Sequence, residues 1–436
     1  MKKNCYICRV QEIPLVCFDN PNDLITMRKT LKFGGKSLGS ADAMRKVAQI
    51  VKDEQAQLTV LSSMSGTYDA LTAIINDDLS KIKTLEAKYA KCIEELLVDR
   101  KDEAYCALNE CFDIIRTSKN PMKIMAQGEI LTSKIFTLYA KESGMNAQLL
   151  YAPDFIHLDQ DKNVSVDNLM LRHDAFYFTQ GFICSDHKGE ICNLMQTGSD
   201  LTVSLLASTT DSSEVQIWSV DKVMCTTDAK MVKNAKPIEV MSYTQAAELA
   251  YFGAQILHPL TIQPCRDANI DIVLKNTADP DFVGTRITTN ENNINFLATA
   301  YKDNISLVRV TANRMLSAYG FLSSVLDVFE KNNTKIDMVT TSEAAIAATL
   351  SDTHAIADLV EELSKLGKVE VEHANSAVSI VGNMDYDNQG MAAVIFETIN
   401  KTPVKMISYG ASQRSISLLI DSKYTKQMLE NINTMF

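Results

Sequence analysis

The chain has 436 residues, 46% hydrophobic and 22% charged, a composition close to that of soluble globular proteins, so two to four folded domains are expected rather than a disordered or fibrous chain. Its formal net charge of -11 and its scattered lysines and arginines exclude the basic footprint of a nucleic-acid binder. No apolar run approaches the roughly 18 residues that span a bilayer, and the opening segment, with Glu12, Asp19 and Asp23, lacks the order of a signal peptide, so a cytoplasmic protein without a membrane partner is expected.

Residues 1–28 mix polarities without a clean period and read as an N-terminal extension. Their Cys5 and Cys8 form a lone C-x-x-C with no second ligand pair, and the ten cysteines together read as reduced thiols rather than a disulfide framework or a metal site. A strand signal over 30–33 runs into Gly34 and Gly35, a helix is predicted over 40–53, and a strand over 58–61 ends in a small polar loop with Ser62, Ser63, Ser65 and Gly66. Strand, glycine loop, helix, strand is the signature of a parallel α/β sheet.

Between Asp77 and Ser118, Ile82, Leu85, Tyr89, Ile93 and Leu96 recur near helical spacing, which predicts a helical layer or hairpin. Further strands over 147–150, 176–183, 215–218 and 270–274, and helices over 129–140, 201–208 and 244–252, complete an N-terminal α/β domain assigned to 29–292. After Gly284 the elements shorten. Segments 305–310, 320–329, 335–339, 345–350, 356–366 and 369–371 read as β-α-β-β-α-β within a unit at 293–375. A second pass, 377–382, 390–399, 404–408, 416–420 and 424–433, reads as another unit at 376–436. Two consecutive ferredoxin-like units are expected from this order.

Several runs also resemble a known family. Lys32-Phe33-Gly34-Gly35-Lys36-Ser37 is similar to the K-F-G-G-T-S opening of the aspartokinases, Gln127-Gly128-Glu129 to their G-E segment, and Gly198-Ser199-Asp200 to the end of their G-R-G-G-S-D motif. The run from Tyr251-Phe252-Gly253-Ala254-Gln255 through Ile256-Leu257-His258-Pro259, followed by Lys275-Asn276-Thr277 and Gly284-Thr285, is the most specific. Arg314-Met315-Leu316, Gly320-Phe321-Leu322 and Thr340-Thr341-Ser342-Glu343 look like the first ACT domain of that family, and Ser408-Tyr409-Gly410-Ala411-Ser412 like the second.

The resemblance covers the chain from about residue 30 to the end. It implies an amino-acid-kinase-like open α/β sheet sandwiched by helices, followed by two α+β ferredoxin-like ACT domains. It also implies ATP-dependent phosphorylation of the side-chain carboxylate of L-aspartate to 4-phospho-L-aspartate, the first step of the lysine, threonine and methionine (diaminopimelate) pathway, with Mg²⁺ accompanying ATP. By that resemblance Lys32 is the catalytic lysine and Asp200 holds the phosphate-binding lysine in place. Gly35, Ser63, Glu129, Gln196 and Ser199 would bind substrate, Glu129 taking its ammonium group, while Lys32, Gly34, Gly35, Ser219 and Gln255 would bind ATP. Met315, Gly320, Phe321, Asp337 and Ser342 would form an allosteric site, with lysine as the first candidate effector and threonine the second. ACT domains of the family pair between subunits, which implies a homodimer or larger assembly.

The chemistry is consistent with this set. Phosphoryl transfer needs fixed positive charge and aligned oxygens, which a lysine beside a glycine loop supplies. An acceptor carboxylate with a pKa of about 4 is already ionised, so no general base is required. Two competing motifs fall away. Gly35-Lys36-Ser37 mimics the end of a P-loop, but that loop needs glycine at the position of Thr30, and His258 before Pro259 reads as packed beside a turn.

The departures from the family fall on the same cleft. Gln196 stands in place of the motif arginine, flanked by Met195 and Thr197 instead of glycines; Tyr68 and Lys36 each replace a threonine. Val220 replaces an aspartate on the nucleotide side, and Gln255 replaces a lysine of many members. Two readings follow: a rearranged but active kinase, which the intact Lys32, Gly34, Gly35, Glu129, Ser199 and Asp200 favour, or a weakened homologue serving as an amino-acid-binding regulatory or assembly module.

Overall fold

The computed structural model describes residues 28–436 apart from 195–197, 221–223, 255–256, 258, 292–293, 313–317, 385–388 and 411. Cys5, Cys8, Gln196, Gln255, His258 and Met315 therefore lie outside the described residues. The chain runs through β1 (Lys29–Phe33), α1 (Ala41–Asp53), β2 (Leu58–Leu61), α2 (Thr67–Ile75), α3 (Ser80–Leu96), α4 (Lys101–Thr117), α5 (Pro121–Glu142) and β3 (Ala147–Leu150). Then come β4 (Ile156–Leu158), β5 (Val164–Val166), β6 (Phe176–Gln180), β7 (Ile183–Asp186), β8 (Ile191–Asn193), α6 (Gly198–Thr209) and β9 (Glu214–Ser219). The N-terminal part ends with β10 (Val240–Ser242), α7 (Tyr243–Tyr251), α8 (Pro259–Asp267), β11 (Asp271–Asn276) and β12 (Thr285–Thr288).

Its main sheet has the order β10-β12-β11-β9-β1-β2-β6-β3. β1 lies at the centre, parallel to both β2 and β9, and every residue of β2 is buried. Near-continuous apolar runs are what a parallel sheet covered on both faces requires. The helix starts are legible as caps. Ser40 accepts from Ala43 N to open α1, Asn120 accepts from Met122 N before Pro121 opens α5, and Ser242 with Gln245 forms a capping box on α7. The segment between Asp77 and Ser118 is a hairpin of α3 and α4.

One expected strand divides in two. Residues 176–183 were expected as one element, but the chain leaves the main sheet after Gln180 and turns at Gly181 and Phe182 (φ 71°). Ile183 then enters a second sheet of order β5-β4-β7-β8. Gly181 permits the turn, since a Cβ there would lie 2.2 Å from Ser199 Cβ.

The C-terminal part comprises β13 (Ala298–Ala312), α9 (Ala318–Lys331), β14 (Met338–Thr341), β15 (Ala345–Leu350), α10 (Ile356–Leu363) and β16 (Gly367–Val381), then α11 (Met391–Thr398), β17 (Val404–Ser408), β18 (Ser415–Asp421) and α12 (Thr425–Asn433). One sheet of order β14-β15-β13-β16-β18-β17 joins both ferredoxin-like units. They are interleaved rather than consecutive. The later half of β13 pairs with the start of β16 inside the first unit, while residues 298–302 pair with Val381 to Ala377 and supply the sixth element that the second unit lacked in the sequence. Register shifts between Lys302 and Leu307 mark the passage from one unit to the other. Among the described residues no helix is long and apolar enough to cross a membrane.

Trp218 anchors the centre of the N-terminal sheet. It is 1% exposed, stacks on Phe33 with centroids 5.9 Å apart, and donates from Nε1 to Gln216 Oε1 at 2.9 Å. Trp218→Ala is expected to cost about 3 to 5 kcal/mol, seen as a lower urea midpoint of the N-terminal transition by circular dichroism.

Candidate active site

The C-terminal ends of β1, β2 and β6 open together, as sites in parallel sheets do. Lys32 projects from β1, held by ladders to Val60 and Ile217, and its Nζ lies 2.5 Å from Asp200 Oδ1 in the first turn of α6. Gly34 N donates to Trp218 O at 3.3 Å, and Gly35 O accepts from Ser65 N at 2.9 Å. A Cβ on Gly35 would stand 2.6 Å from Ser63 O, so the two loops meet backbone to backbone and only glycine fits.

Helix α5 closes the other side. Tyr89 OH is shared between Thr67 Oγ1 (3.1 Å), Thr132 Oγ1 (2.9 Å) and Gly128 O (3.3 Å), while Met64 N donates to Thr132 Oγ1 at 3.1 Å. A Cβ on Gly128 would sit 2.9 Å from Thr67 Cγ2 and 3.0 Å from Ser63 Cβ. That contact brings the next residue, Glu129, beneath the loop, where its Oε1 accepts from Ser63 N at 3.4 Å. Glu129 is 6% exposed, and burial pushes its carboxyl up to about 7, against smaller lowering by the hydrogen bonds at Ser63.

Between these elements lies a cleft of about 350 Å³ lined by Gly35, Ser63, Gly66, Tyr68, Glu129, Phe182 and Ser199, among others. Ser62 Oγ and Ser199 Oγ approach to 2.6 Å across it. The lining presents the N-terminus of α6, at Gly198 and Ser199, which favours an anion, and the carboxyl of Glu129, which in its ionised form suits a cation; the Lys32–Asp200 pair stands next to it, Asp200 directly following Ser199. Tyr68, 54% exposed, meets Phe182 edge-on at 6.3 Å at its wall.

Of the residues singled out in the sequence, Lys32, Gly34, Gly35, Ser63, Glu129, Ser199 and Asp200 fall around this cleft or its glycine loop. Ser219 ends β9 on the Trp218 side, where its carbonyl accepts from Thr277 N at 3.1 Å, and Lys36 is exposed in the turn after Gly35. The remaining candidates sit in the C-terminal sheet. Gly320 and Phe321 are in the opening of α9, Ser342 is exposed after β14, and Asp337, a half-buried residue whose side chain is 6% exposed, precedes it. Asp337 Oδ1 pairs with Lys302 Nζ at 3.1 Å, and Oδ2 is buried without a hydrogen-bond partner. Ser62, Tyr89, Thr132, Phe182 and Lys302 were not singled out as site residues. Only Gly181, a glycine closing a strand, offered a local signal for that side of the cleft.

Comparison with known proteins agrees with this architecture. The sequence model of the amino acid kinase family matches residues 27–276, and an ACT domain model matches 378–436. The chain is 29% identical to the lysine-sensitive aspartokinase 3 of Escherichia coli over 441 residues, covering 92% of this chain and 98% of that protein. It superposes on the crystal structure of E. coli aspartokinase III in complex with aspartate and ADP (R-state) with a TM-score of 0.77 at 28% identity, over 93% of this chain and 99% of that one. The lysine and aspartate complex (T-state) of the same enzyme gives 0.76 at 27% identity, over 94% and 99%.

Glu129 makes a test of the site's electrostatics. Its folded value lies above the ordinary 4.5, so the neutral form is favoured in the fold; that stabilisation is complete below about 4.5 and is lost as pH rises through about 7. The stability of wild type relative to Glu129→Gln, measured by urea unfolding, is therefore expected to fall between those two pH values and to level off above them.

Proposed function

The chain belongs to the amino acid kinase family, in its aspartokinase branch, and we propose that the cleft beside Lys32 transfers the γ-phosphoryl group of ATP to the side-chain carboxylate of L-aspartate. The observation that carries this reading is the Lys32–Asp200 pair next to a cleft lined by Gly35, Ser199 and the buried Glu129. Lys32 and the backbone of Gly34 and Gly35 receive the phosphates, and Asp200 fixes the ammonium of Lys32 where negative charge develops. Glu129 takes the substrate ammonium in its ionised form, with Ser63 and Ser199 toward the substrate's carboxylates and Ser219 toward the nucleotide; Gln196 and Gln255, which the family resemblance adds to these two groups, lie outside the described residues. The acceptor carboxylate attacks without a base. Mg²⁺ would accompany ATP on its phosphates and neutralise their charge.

Lysine is the effector we assign to the ACT units. The support is Asp337, whose buried Oδ2 is left without a hydrogen-bond partner and would accept from an ammonium group. Helix α7 links that position to the N-terminal domain. Glu248 accepts from Ser412 Oγ (2.8 Å) and Ser415 Oγ (3.0 Å), and the Tyr251 ring lies 5.0 Å from Lys302 Nζ and 5.1 Å from Lys335 Nζ. The segment carrying Gln255 follows directly. Pairing of ACT units between subunits and a cytoplasmic location complete this reading.

Lys32→Ala is expected to lower turnover by a hundredfold or more, on the order of 3 kcal/mol in the barrier, with the melting temperature little changed. A hydroxylamine trap for the acyl phosphate reads it, and near wild-type turnover in the variant would sink the catalytic role. An inactive wild type that still binds ATP or aspartate would favour the regulatory-module reading. Asp337→Asn is expected to weaken lysine binding in calorimetry by about tenfold or more; unchanged affinity would remove Asp337 from the effector site.

A further inference from the structure

The hairpin of β7 and β8 carries two cysteines in register. Cys184 and Cys192 are direct partners across the antiparallel pair, both free, with Sγ atoms 3.2 Å apart. The backbone bonds Asp186 N to Glu190 O and Leu194 N to Phe182 O, 2.8 Å each, bracket the pair, so by alternation Cys184 and Cys192 occupy a hydrogen-bonded site. Such sites hold their Cα atoms about 5.5 Å apart, at the separation of about 5.5 to 6 Å that disulfides favour. Both side chains project from the same face of the hairpin, Cys184 buried and Cys192 half-buried.

The hairpin borders the substrate cleft. Its base is Phe182, which lines the cleft and accepts from Leu194, and the chain then leads to Gly198 and Ser199, which line it too. On its outer side Lys123 Nζ lies 2.6 Å from Glu190 Oε2, tying the hairpin to α5, the helix of Glu129.

We propose that Cys184 and Cys192 are a modification site, closing to a reversible disulfide that reshapes the Phe182 wall of the cleft. The oxidant is a low-molecular-weight disulfide such as glutathione disulfide. The Cys192 thiolate attacks one of its sulfurs, breaking that S–S bond and releasing one glutathione thiolate. Cys184 then loses its proton and attacks the Cys192 sulfur of the mixed disulfide, and the second glutathione leaves. Two protein thiols are oxidised and one glutathione disulfide is reduced to two glutathiones. Burial, with the neighbouring thiol, pushes the Cys184 thiol up, and burial raises Cys192 as well, so the reaction starts at the more accessible sulfur and quickens with pH.

The effect on catalysis rests on the proposed aspartate phosphorylation; disulfide formation does not. Full-length protein is treated with glutathione disulfide at about pH 8, where thiolates form more readily, then alkylated and digested for mass spectrometry. The expected result is a joined pair of peptides holding Cys184 and Cys192, two hydrogens lighter than the thiols and separated again by dithiothreitol. The apparent KM for aspartate is expected to shift about threefold or more on oxidation and to return on reduction. Cys184→Ser and Cys192→Ser, each checked for folding by thermal melting, should keep the reduced value throughout. Two thiols that stay open to alkylation overturn the disulfide, and a disulfide that leaves the KM unmoved overturns its link to the cleft. If the reduced protein has no kinase activity, the peptide mapping still decides the disulfide on its own.

Discussion

The site depends on one fixed charge, the ammonium of Lys32. Withdrawing an ammonium from water costs several kcal/mol even after relaxation, so a partly buried lysine persists only if something holds it. Here its backbone is locked between β2 and β9, and its head meets Asp200 at 2.5 Å. Asp200 in turn lies in the first turn of α6, where the helix dipole favours a carboxylate. The cation is thus held in place without a ligand, which is the condition for electrostatic catalysis without reorganisation in the proposed phosphoryl transfer.

That arrangement requires backbones to approach more closely than side chains allow. Gly35 lets the first loop touch the second, Gly128 lets α5 lie against the second and the start of α2, and Gly181 lets α6 reach the end of β6. Each is a contact where a single methyl group would overlap backbone or a short side chain within about 3 Å. The glycines decide where Lys32, Glu129 and Asp200 stand relative to one another, and so they act on the site through the backbone rather than through a side chain.

Much of this could be read before any coordinates. Local signals sufficed for β1, α1, β2 and the helical hairpin, because caps, glycines and helical spacing act over a few residues. The Lys32, Glu129 and Asp200 candidates came from motif resemblance and converge in space. What stayed hidden depended on distant partners. Residues 298–302 form a strand because β16 lies alongside, and nothing within that short segment announces a second role. Tyr89 and Lys302 were invisible for the same reason: one is a helix-face aromatic and the other a surface-type lysine until Thr132 and Asp337 meet them.

The departures from the family divide along a chemical line. The groups proposed to act on the transferring phosphoryl, Lys32 with its glycine loop and Asp200, are intact, while Gln196, Tyr68 and Lys36 stand at positions where the family resemblance expects contact with the acceptor amino acid or the loops around it. Losing one charge-assisted contact to a substrate carboxylate costs about 1.5 to 3 kcal/mol. If that contact holds substrate and transition state alike, the loss appears in KM and leaves kcat in place. Glu129 adds to the same side of the balance, because a carboxyl held up to about 7 must release its proton before it can pair with an ammonium ligand. In the proposed reaction the altered residues therefore bear on how firmly the amino acid is held, the intact Glu129 on the pH at which it is held, and Lys32 with Asp200 on the rate at which a held carboxylate is phosphorylated.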